Sequence, residues 1–600
     1  MQTDERIGAR LTPDGCLFRV WAPHAEQVSV LIQDGPAWDV GDAEVEQALV
    51  KSGDFWTGTV PGVRAQALYR VRIRHPGGVK QALDPAARDV LSSDLTRSDP
   101  GSYNASVVVG PEATSWTPFT TPRFENFIIY QFHIGSFAGR GDDLNKSWST
   151  FQDVESKLSY IREMGFNCIQ PLPVHEFAMD RSWGYNPASF FAPESSYGSP
   201  DDLAHLADAA HRAGLAVIFD VVYNHAGPGD NVLWEYDGYT NEGGIYFEGG
   251  MSTDWGRGPA WWKREVQDFF YQNARMFFED YRADGLRFDV TTQINGEHLR
   301  LAIDRVRRDF PDKYLIAEHL PDDPWIVNTG RFCATWHADS HHECQRALAG
   351  QDPLNKVKAF LGWDSYERSW NLVKYTLGSH DDVGDQDNGN AEAGLSDWDK
   401  RHRYFVDQLG GREDWHARAK CRLAWALNVA MPGTPMMFMG SECHMASPHV
   451  AWGYWHDGED QRGDHRFDWS IAGDPIGIGM RRAVAACNAV RWQNPAMRSE
   501  SLSITHEDHT NQVLGFVRQS DDNIVLTIVN LGEQNFTGHG YGVHTGGRSG
   551  QWTQILCTQD AEFGGWDGAS NAFYEPWTQG DGFLYMNLPK WSVVMFRLRR

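Results

Sequence analysis

Between Phe127 and Met439 the chain repeats one pattern, a short apolar run followed by a stretch with helical periodicity. The runs are Phe127-Ile-Ile-Tyr-Gln-Phe-His-Ile, Asn167-Cys-Ile-Gln-Pro-Leu, Leu215-Ala-Val-Ile-Phe-Asp-Val-Val, Gly285-Leu-Arg-Phe-Asp-Val and Lys313-Tyr-Leu-Ile-Ala-Glu. Phe332 to Trp336, Val373 to Leu377 and Pro435-Met-Met-Phe-Met complete the set. Amphipathic helices are predicted near Thr150 to Met164, Asp201 to Ala213 and Lys263 to Tyr281. Eight strands alternating with helices predict an α/β fold, a (β/α)8 TIM barrel with insertions. A doubly wound sheet is the rival, but no Gly-x-Gly-x-x-Gly or P-loop follows any strand.

On either side the periodicity changes to short strands and turns. Residues 1–110 read as an N-terminal β-sandwich, with Cys16-Leu-Phe-Arg-Val-Trp, Val28-Ser-Val-Leu-Ile and Ala67-Leu-Tyr-Arg-Val-Arg-Ile among its strands. Residues 111–124, polar and rich in Thr and Pro, read as a linker. The barrel is placed at 125–495 with an insertion at 226–262, and a C-terminal all-β domain at 496–600.

Charge narrows the partners. Lys and Arg number 54 against 80 Asp and Glu, a net charge of −26, which repels nucleic acid and anionic membrane surfaces. No long apolar run and no N-terminal leader pattern stand out, so a cytoplasmic protein is expected. The eight cysteines are scattered without a Cys-x-x-Cys pair and read as buried hydrophobes. Aromatic residues make up 13% of the chain, and their faces suit ligands such as sugars, although most such rings fill cores.

Barrel chemistry sits at the C-terminal ends of the strands. The third ends in Asp220 and runs on to Asn224 and His225; the fourth ends in Arg287-Phe288-Asp289, the fifth in Glu318, and the seventh is followed by His380-Asp381. Acidic residues after strands also cap helices, so each taken alone is weak. Together they put Arg287 on the same strand face as Asp289, where its charge would keep that carboxylate ionised. A Glu desolvated among aromatics would keep its proton. One ionised and one protonated carboxyl group is the requirement of retaining glycoside hydrolysis.

Four segments in this order, Asp220-Val-Val-Tyr-Asn-His225, Asp284-Gly-Leu-Arg-Phe-Asp289, Ile316-Ala-Glu318 and Ser379-His-Asp381, resemble the core motifs of the α-amylase superfamily, glycoside hydrolase family 13. Phe18-Arg-Val-Trp-Ala-Pro23 resembles the carbohydrate-binding sandwich that precedes the barrel in branching and debranching members. Trp183-Gly-Tyr-Asn-Pro187, Phe191-Ala-Pro and Phe438-Met-Gly440 are similar to that group too. The resemblance implies Asp289 as nucleophile, Glu318 as general acid/base and Asp381 as the third catalytic carboxylate. It implies that Arg287 holds the nucleophile ionised, that His225 and His380 bind the sugar, and that Tyr185 stacks on it. Asp220 and Asn224 would support the loops.

The tail, with Tyr541-Gly-Val543, Trp552-Thr-Gln-Ile-Leu556 and Leu588-Pro-Lys-Trp-Ser-Val-Val, resembles the 1,4-α-glucan branching enzymes. Asp220-Val-Val-Tyr-Asn-His-Ala-Gly-Pro is closer to maltooligosyltrehalose trehalohydrolases, and Asp382 stands where branching enzymes commonly place Glu. The resemblance therefore implies an α-glucan or maltooligosaccharide substrate and branching by glycosyl transfer. Hydrolysis of α-glucan or maltooligosyltrehalose is one alternative, and a non-catalytic glucan-binding protein is another. No cofactor is implied. Some members bind calcium in the insertion, but Asp230 and Asp254 show no ligand spacing, so no metal is assigned. The insertion's Trp234, Tyr236, Tyr239, Tyr246, Phe247, Trp255 and Trp261 are candidate glucan platforms or a self-packed lid.

Overall fold

A computed structural model describes residues 6–35, 38, 45–91, 105–110, 114–139, 141–144, 148–178, 182–363, 365–384, 404–446, 466–566, 571 and 574–599. Its centre is a closed barrel of eight parallel strands: β1 (Ile129–Phe132), β2 (Cys168–Pro171), β3 (Ala216–Val221), β4 (Gly285–Phe288), β5 (Tyr314–Ala317), β6 (Ala334–His337), β7 (Leu372–Lys374) and β8 (Thr434–Phe438). All eight expected strands are present, and β1 closes on β8 through Ile129 opposite Met436. Every residue of β3 is buried, as strands covered on both faces must be.

The surrounding helices start and face inward for local reasons. In α1 (Pro200–Arg212), Ser199 and Asp202 form a reciprocal capping box and Pro200 occupies the first turn. Along α2 (Arg264–Glu279), Val266, Phe269, Phe270, Ala274, Phe277 and Phe278 recur at helical spacing and form its buried stripe. The expected helix near Thr150 to Met164 is two short helices, Phe151–Glu155 and Leu158–Glu163. Further round lie α3 (Gly296–Asp309), α4 (Asp339–Leu348), α5 (Pro353–Leu361), α6 (Trp415–Ala430) and α7 (Pro475–Gln493).

Before the barrel two antiparallel sheets face each other. One orders Gly8–Thr12, Gly15–Trp21, Phe55–Pro61 and Val50–Ser52, the other Val45–Ala48, Gln27–Gln33, Leu68–His75 and Gly78–Ala82, with Ser106–Val107 added beside Leu68–His75. Residues 111–113 of the expected linker lie outside the described residues. After the barrel comes a five-stranded antiparallel sheet, Ser503–Asp508, Val513–Ser520, Asn523–Asn530, Ser592–Leu598 and Trp552–Cys557, and a two-stranded one, Phe536–His544 with Phe583–Leu588. The cysteines are unpaired, and all but the half-buried Cys333 are buried. No helix among the described residues is long and apolar enough to cross a membrane.

Segment 226–262 follows β3 and is gripped by the N-terminal sandwich. His24 Nδ1 lies 2.9 Å from Asp237 Oδ2, and its ring stacks on Tyr239 at 4.4 Å. The Lys80 ammonium donates to Glu235 O at 2.8 Å, and Trp21 meets Tyr246 edge-on at 5.0 Å. Gly238 has φ +86°, and a Cβ there would stand 2.2 Å from the His75 ring, so only glycine lets the two surfaces meet.

Candidate active site

Three strands deliver charged side chains to one end of the barrel. Asp220 is the fifth residue of β3, Arg287 the third of β4, and Asp289 and Glu318 immediately follow β4 and β5. Arg287 is fully buried, and a buried guanidinium needs anions around it. Its Nη1 donates to Asp220 Oδ1 and Oδ2 at 2.8 and 2.9 Å and to Asp289 Oδ1 at 3.0 Å, while Nη2 donates to Glu318 Oε2 at 2.6 Å. The guanidinium also lies over the Trp336 ring, 4.1 Å from its centroid.

The backbone fixes the two carboxylates that follow β4 and β5. Asp289 N donates to Val221 O at 3.0 Å and Glu318 N to Phe288 O at 2.9 Å, continuing the barrel ladder past the strand ends. Val290 then takes φ +32°, a left-handed turn that a β-branched residue rarely adopts, and its N–H donates to Glu318 Oε2 at 3.0 Å. Thr291 grips Glu318 O with its backbone N and its hydroxyl at 2.8 and 2.7 Å.

One expectation is corrected here. Arg287 is not a private partner of Asp289, because one cation is shared by three carboxylates. Burial, followed by the negative charge of Glu318, raises Asp289 well above the usual carboxylate range despite Arg287. Burial raises Glu318 as well, against the pull of Arg287, and it raises Asp220. Arg287 alone therefore does not divide the pair into one ionised and one protonated group.

The remaining predicted residues converge from the rim. His380 is buried and stacks on Tyr185 with ring centroids 4.9 Å apart and planes 8° from parallel. Its Nε2 is 3.1 Å from Asp381 Oδ1, and the Asp381 side chain is 45% exposed. The charge of Asp381 contributes to the rise of both Asp289 and Glu318, so it belongs to the same field. His225 is buried, its Nε2 2.8 Å from Tyr185 O and its Nδ1 without a partner; burial holds its pKa down, which favours the neutral ring. Tyr185 donates its hydroxyl to Asp220 Oδ2 at 2.8 Å. One face of the expected stacking ring is thus already covered by His380.

Asp220 does more than support a loop: it accepts from Arg287 on both of its oxygens and anchors Tyr185. Asn224 donates to Gln293 at 2.9 Å, as a loop support would. Sequence reasoning missed Gln131, whose Nε2 sits 3.1 Å from His380 Nδ1 and whose Oε1 accepts from His380 N at 3.2 Å. A lone amide inside the apolar run of β1 was the available signal. It also missed Trp336, which nothing local distinguishes from a core ring. Of the insertion's rings, Trp255 is half-exposed with its centroid 6.2 Å from that of His225. Trp234 and Trp262 are also exposed, whereas Tyr236, Tyr246, Phe247 and Trp261 are buried, so the segment is partly self-packed and partly open. Among the described residues no three His, Cys, Asp or Glu side chains form a group able to hold a metal ion.

Three families match the chain in the order of its three parts: carbohydrate-binding module 48 (isoamylase N-terminal domain) at residues 6–87, the alpha amylase catalytic domain at 136–248, and the alpha amylase C-terminal all-beta domain at 504–599. In all three of these parts the chain is similar to the α-amylase family. Among similar proteins, the 1,4-alpha-glucan branching enzyme GlgB 2 of Xanthomonas euvesicatoria pv. vesicatoria is 28% identical over 92% of this chain and 74% of its own length. The malto-oligosyltrehalose trehalohydrolase of Saccharolobus solfataricus is 28% identical over 74% of this chain and 76% of its own. Among solved structures, the pullulanase from Bacillus acidopullulyticus superposes with a TM-score of 0.76 at 18% identity, covering 99% of this chain and 75% of that one. At that identity the likeness speaks for the fold alone.

Proposed function

We propose that this chain is a retaining α-glucan-active enzyme that cleaves α-1,4-glucosidic bonds and transfers the released chain to form α-1,6 branches. The observation that carries the reading is the convergence of Asp289 and Glu318 on the two nitrogens of one buried guanidinium, with Asp381 at the rim. Carboxyl groups bridged in this way suit the separation of about 5–5.5 Å that retention requires.

In the first step an Asp289 oxygen attacks the anomeric carbon as Glu318 gives its proton to the leaving glycosidic oxygen. The C–O bond to the leaving chain breaks and an ester to Asp289 forms. Binding of sugar beside Asp289 displaces its proton towards Glu318, the division the free site leaves open. Asp381 accepts hydrogen bonds from sugar hydroxyls, and His225 and His380 hold the same ring. In the second step Glu318, now ionised, removes the proton of a glucan 6-hydroxyl, which attacks the ester and regenerates Asp289.

Transfer rather than hydrolysis is supported by the branching-enzyme relative, whose likeness extends over nearly the whole chain. A second reading, hydrolysis by water in place of the acceptor, is supported by the trehalohydrolase relative and by Asp382. The Asp382 carboxylate accepts from Ser379 N at 2.8 Å and from its hydroxyl at 3.1 Å, and so caps the short helix instead of reaching the barrel mouth. The test is incubation of the pure protein with amylose. Falling iodine colour, new α-1,6 linkages and little reducing sugar are expected; reducing ends or free trehalose establish the hydrolase. Asp289→Asn is expected to abolish turnover, and turnover that survives it unchanged removes the nucleophile assignment.

A further inference from the structure

At the seam between the barrel and the C-terminal domain lies a cavity of about 510 Å³ lined by Trp415, Asn535, Gly565, Trp566 and Lys590. Both indoles are half-buried, so each keeps a free part of its ring. Trp415 is the first residue of α6, which leads into β8. A helix that precedes a barrel strand begins on the face where strands end, so this cavity opens at the level of the catalytic mouth.

Its walls are fixed to one another. From α6, Arg422 donates to Thr558 O at 2.9 Å and to Gln559 Oε1 at 2.8 Å, holding the segment that leads to Trp566. Lys420 lies over the Trp591 ring at 4.0 Å. Lys590 N donates to Asn535 Oδ1 at 2.9 Å, its Nζ stands 3.0 Å from His416 Nε2, and the same ammonium lies 5.6 Å from the Trp415 ring centroid. Two indole faces joined by an amide and a cationic donor are matched to a ligand with flat C–H faces and a hydroxyl edge. That is the chemistry of a pyranose chain.

We propose that this cavity is a second α-glucan-binding site, which anchors a segment of polymer beside the barrel mouth. The choice of ligand rests on the α-glucan reading above. The test is affinity electrophoresis in gels containing glycogen, run in the Asp289→Asn background so that nothing is digested. Trp415→Ala with Trp566→Ala is expected to lower the affinity for glycogen about fivefold. Trp577→Ala, which removes an indole 58% exposed elsewhere on the C-terminal domain, is expected to leave it unchanged. Asn535→Trp, placed at an exposed position to fill the cavity, is expected to reproduce the loss without touching the core. Equal retardation of the parent, the double variant and Asn535→Trp overturns the proposal, as does an equal loss in Trp577→Ala. Absence of turnover in the wild type with retardation still dependent on Trp415 and Trp566 overturns the catalytic reading and leaves this site standing.

Discussion

Arg287 sets the energetics of the barrel mouth because three acidic side chains depend on one cation that solvent does not reach. Replacing it with Met keeps much of the volume and removes the charge, so Asp220, Asp289 and Glu318 are left to repel one another in a dry site. Arg287→Met is expected to cost about 3–5 kcal/mol in chemical denaturation and to abolish glucan turnover. Adding Asp220→Asn is expected to restore part of the stability and none of the activity. The pH dependence follows from Glu318, which burial raises and Arg287 opposes. An acid with a raised pKa keeps its proton to higher pH, and its contribution is lost as pH rises through that value. The alkaline limb of kcat/KM is therefore expected above the ordinary glutamate value of about 4.3. Residual activity of Glu318→Gln should lack that limb, and an unchanged profile removes Glu318 as the acid. The carboxylates were legible because strand ends are marked by a loss of apolar pattern. Their sharing of Arg287 was not, since it joins β3, β4 and β5 across the barrel and leaves no trace in spacing.

Among the elements, periodicity was readable where burial is one-sided or complete, as in α2 and β3. It misread the stretch after Thr150 as one helix, where the chain forms Phe151–Glu155 and Leu158–Glu163 with a break at Ser156 and Lys157. Capping chemistry was likewise local: Ser199, Pro200 and Asp202 specify the start of α1 without help from the rest of the fold. The end of α5 is specified from elsewhere. Lys374, on β7 and fully buried, donates to Phe360 O at 2.7 Å, Leu361 O at 3.3 Å and Gly362 O at 2.7 Å. A lysine within an otherwise apolar strand thus serves as the cation at a helix C-terminus, where the carbonyl dipoles favour it. Lys374→Met is expected to leave those carbonyls without their donor and to destabilise the protein by about 3 kcal/mol, measured by denaturant unfolding. A change below about 0.5 kcal/mol, the range of ordinary surface substitutions, would show that the helix end finds other partners.

At the scale of the molecule, arginines that sequence cannot distinguish from surface ones tie α7 and the C-terminal domain to the end of α6. Arg491 of α7 donates to Val429 O at 3.2 Å, Met497 O at 2.9 Å, Glu125 O at 3.1 Å and Gly433 O at 2.8 Å. Arg518, on the strand Val513–Ser520, donates to Ala430 O at 2.7 Å and to Ser499 O. Burial lowers each to about 9, still above neutral pH, so both stay charged and their charge is met by carbonyls at the C-terminal end of α6. Such a contact binds two domains tightly only while donor and acceptors are all present, because an unmatched buried carbonyl is costly. The wild-type barrel and C-terminal domain are therefore expected to unfold together in calorimetry, as one transition. Arg518→Met strips the donors from Ala430 and Ser499 and leaves the apolar contacts of the strand in place. It is expected to split that transition, with the C-terminal domain melting first, while the N-terminal sandwich keeps its grip on segment 226–262. A single transition displaced as a whole would mean that the apolar packing of α6 on this domain, and not the arginine, sets the coupling.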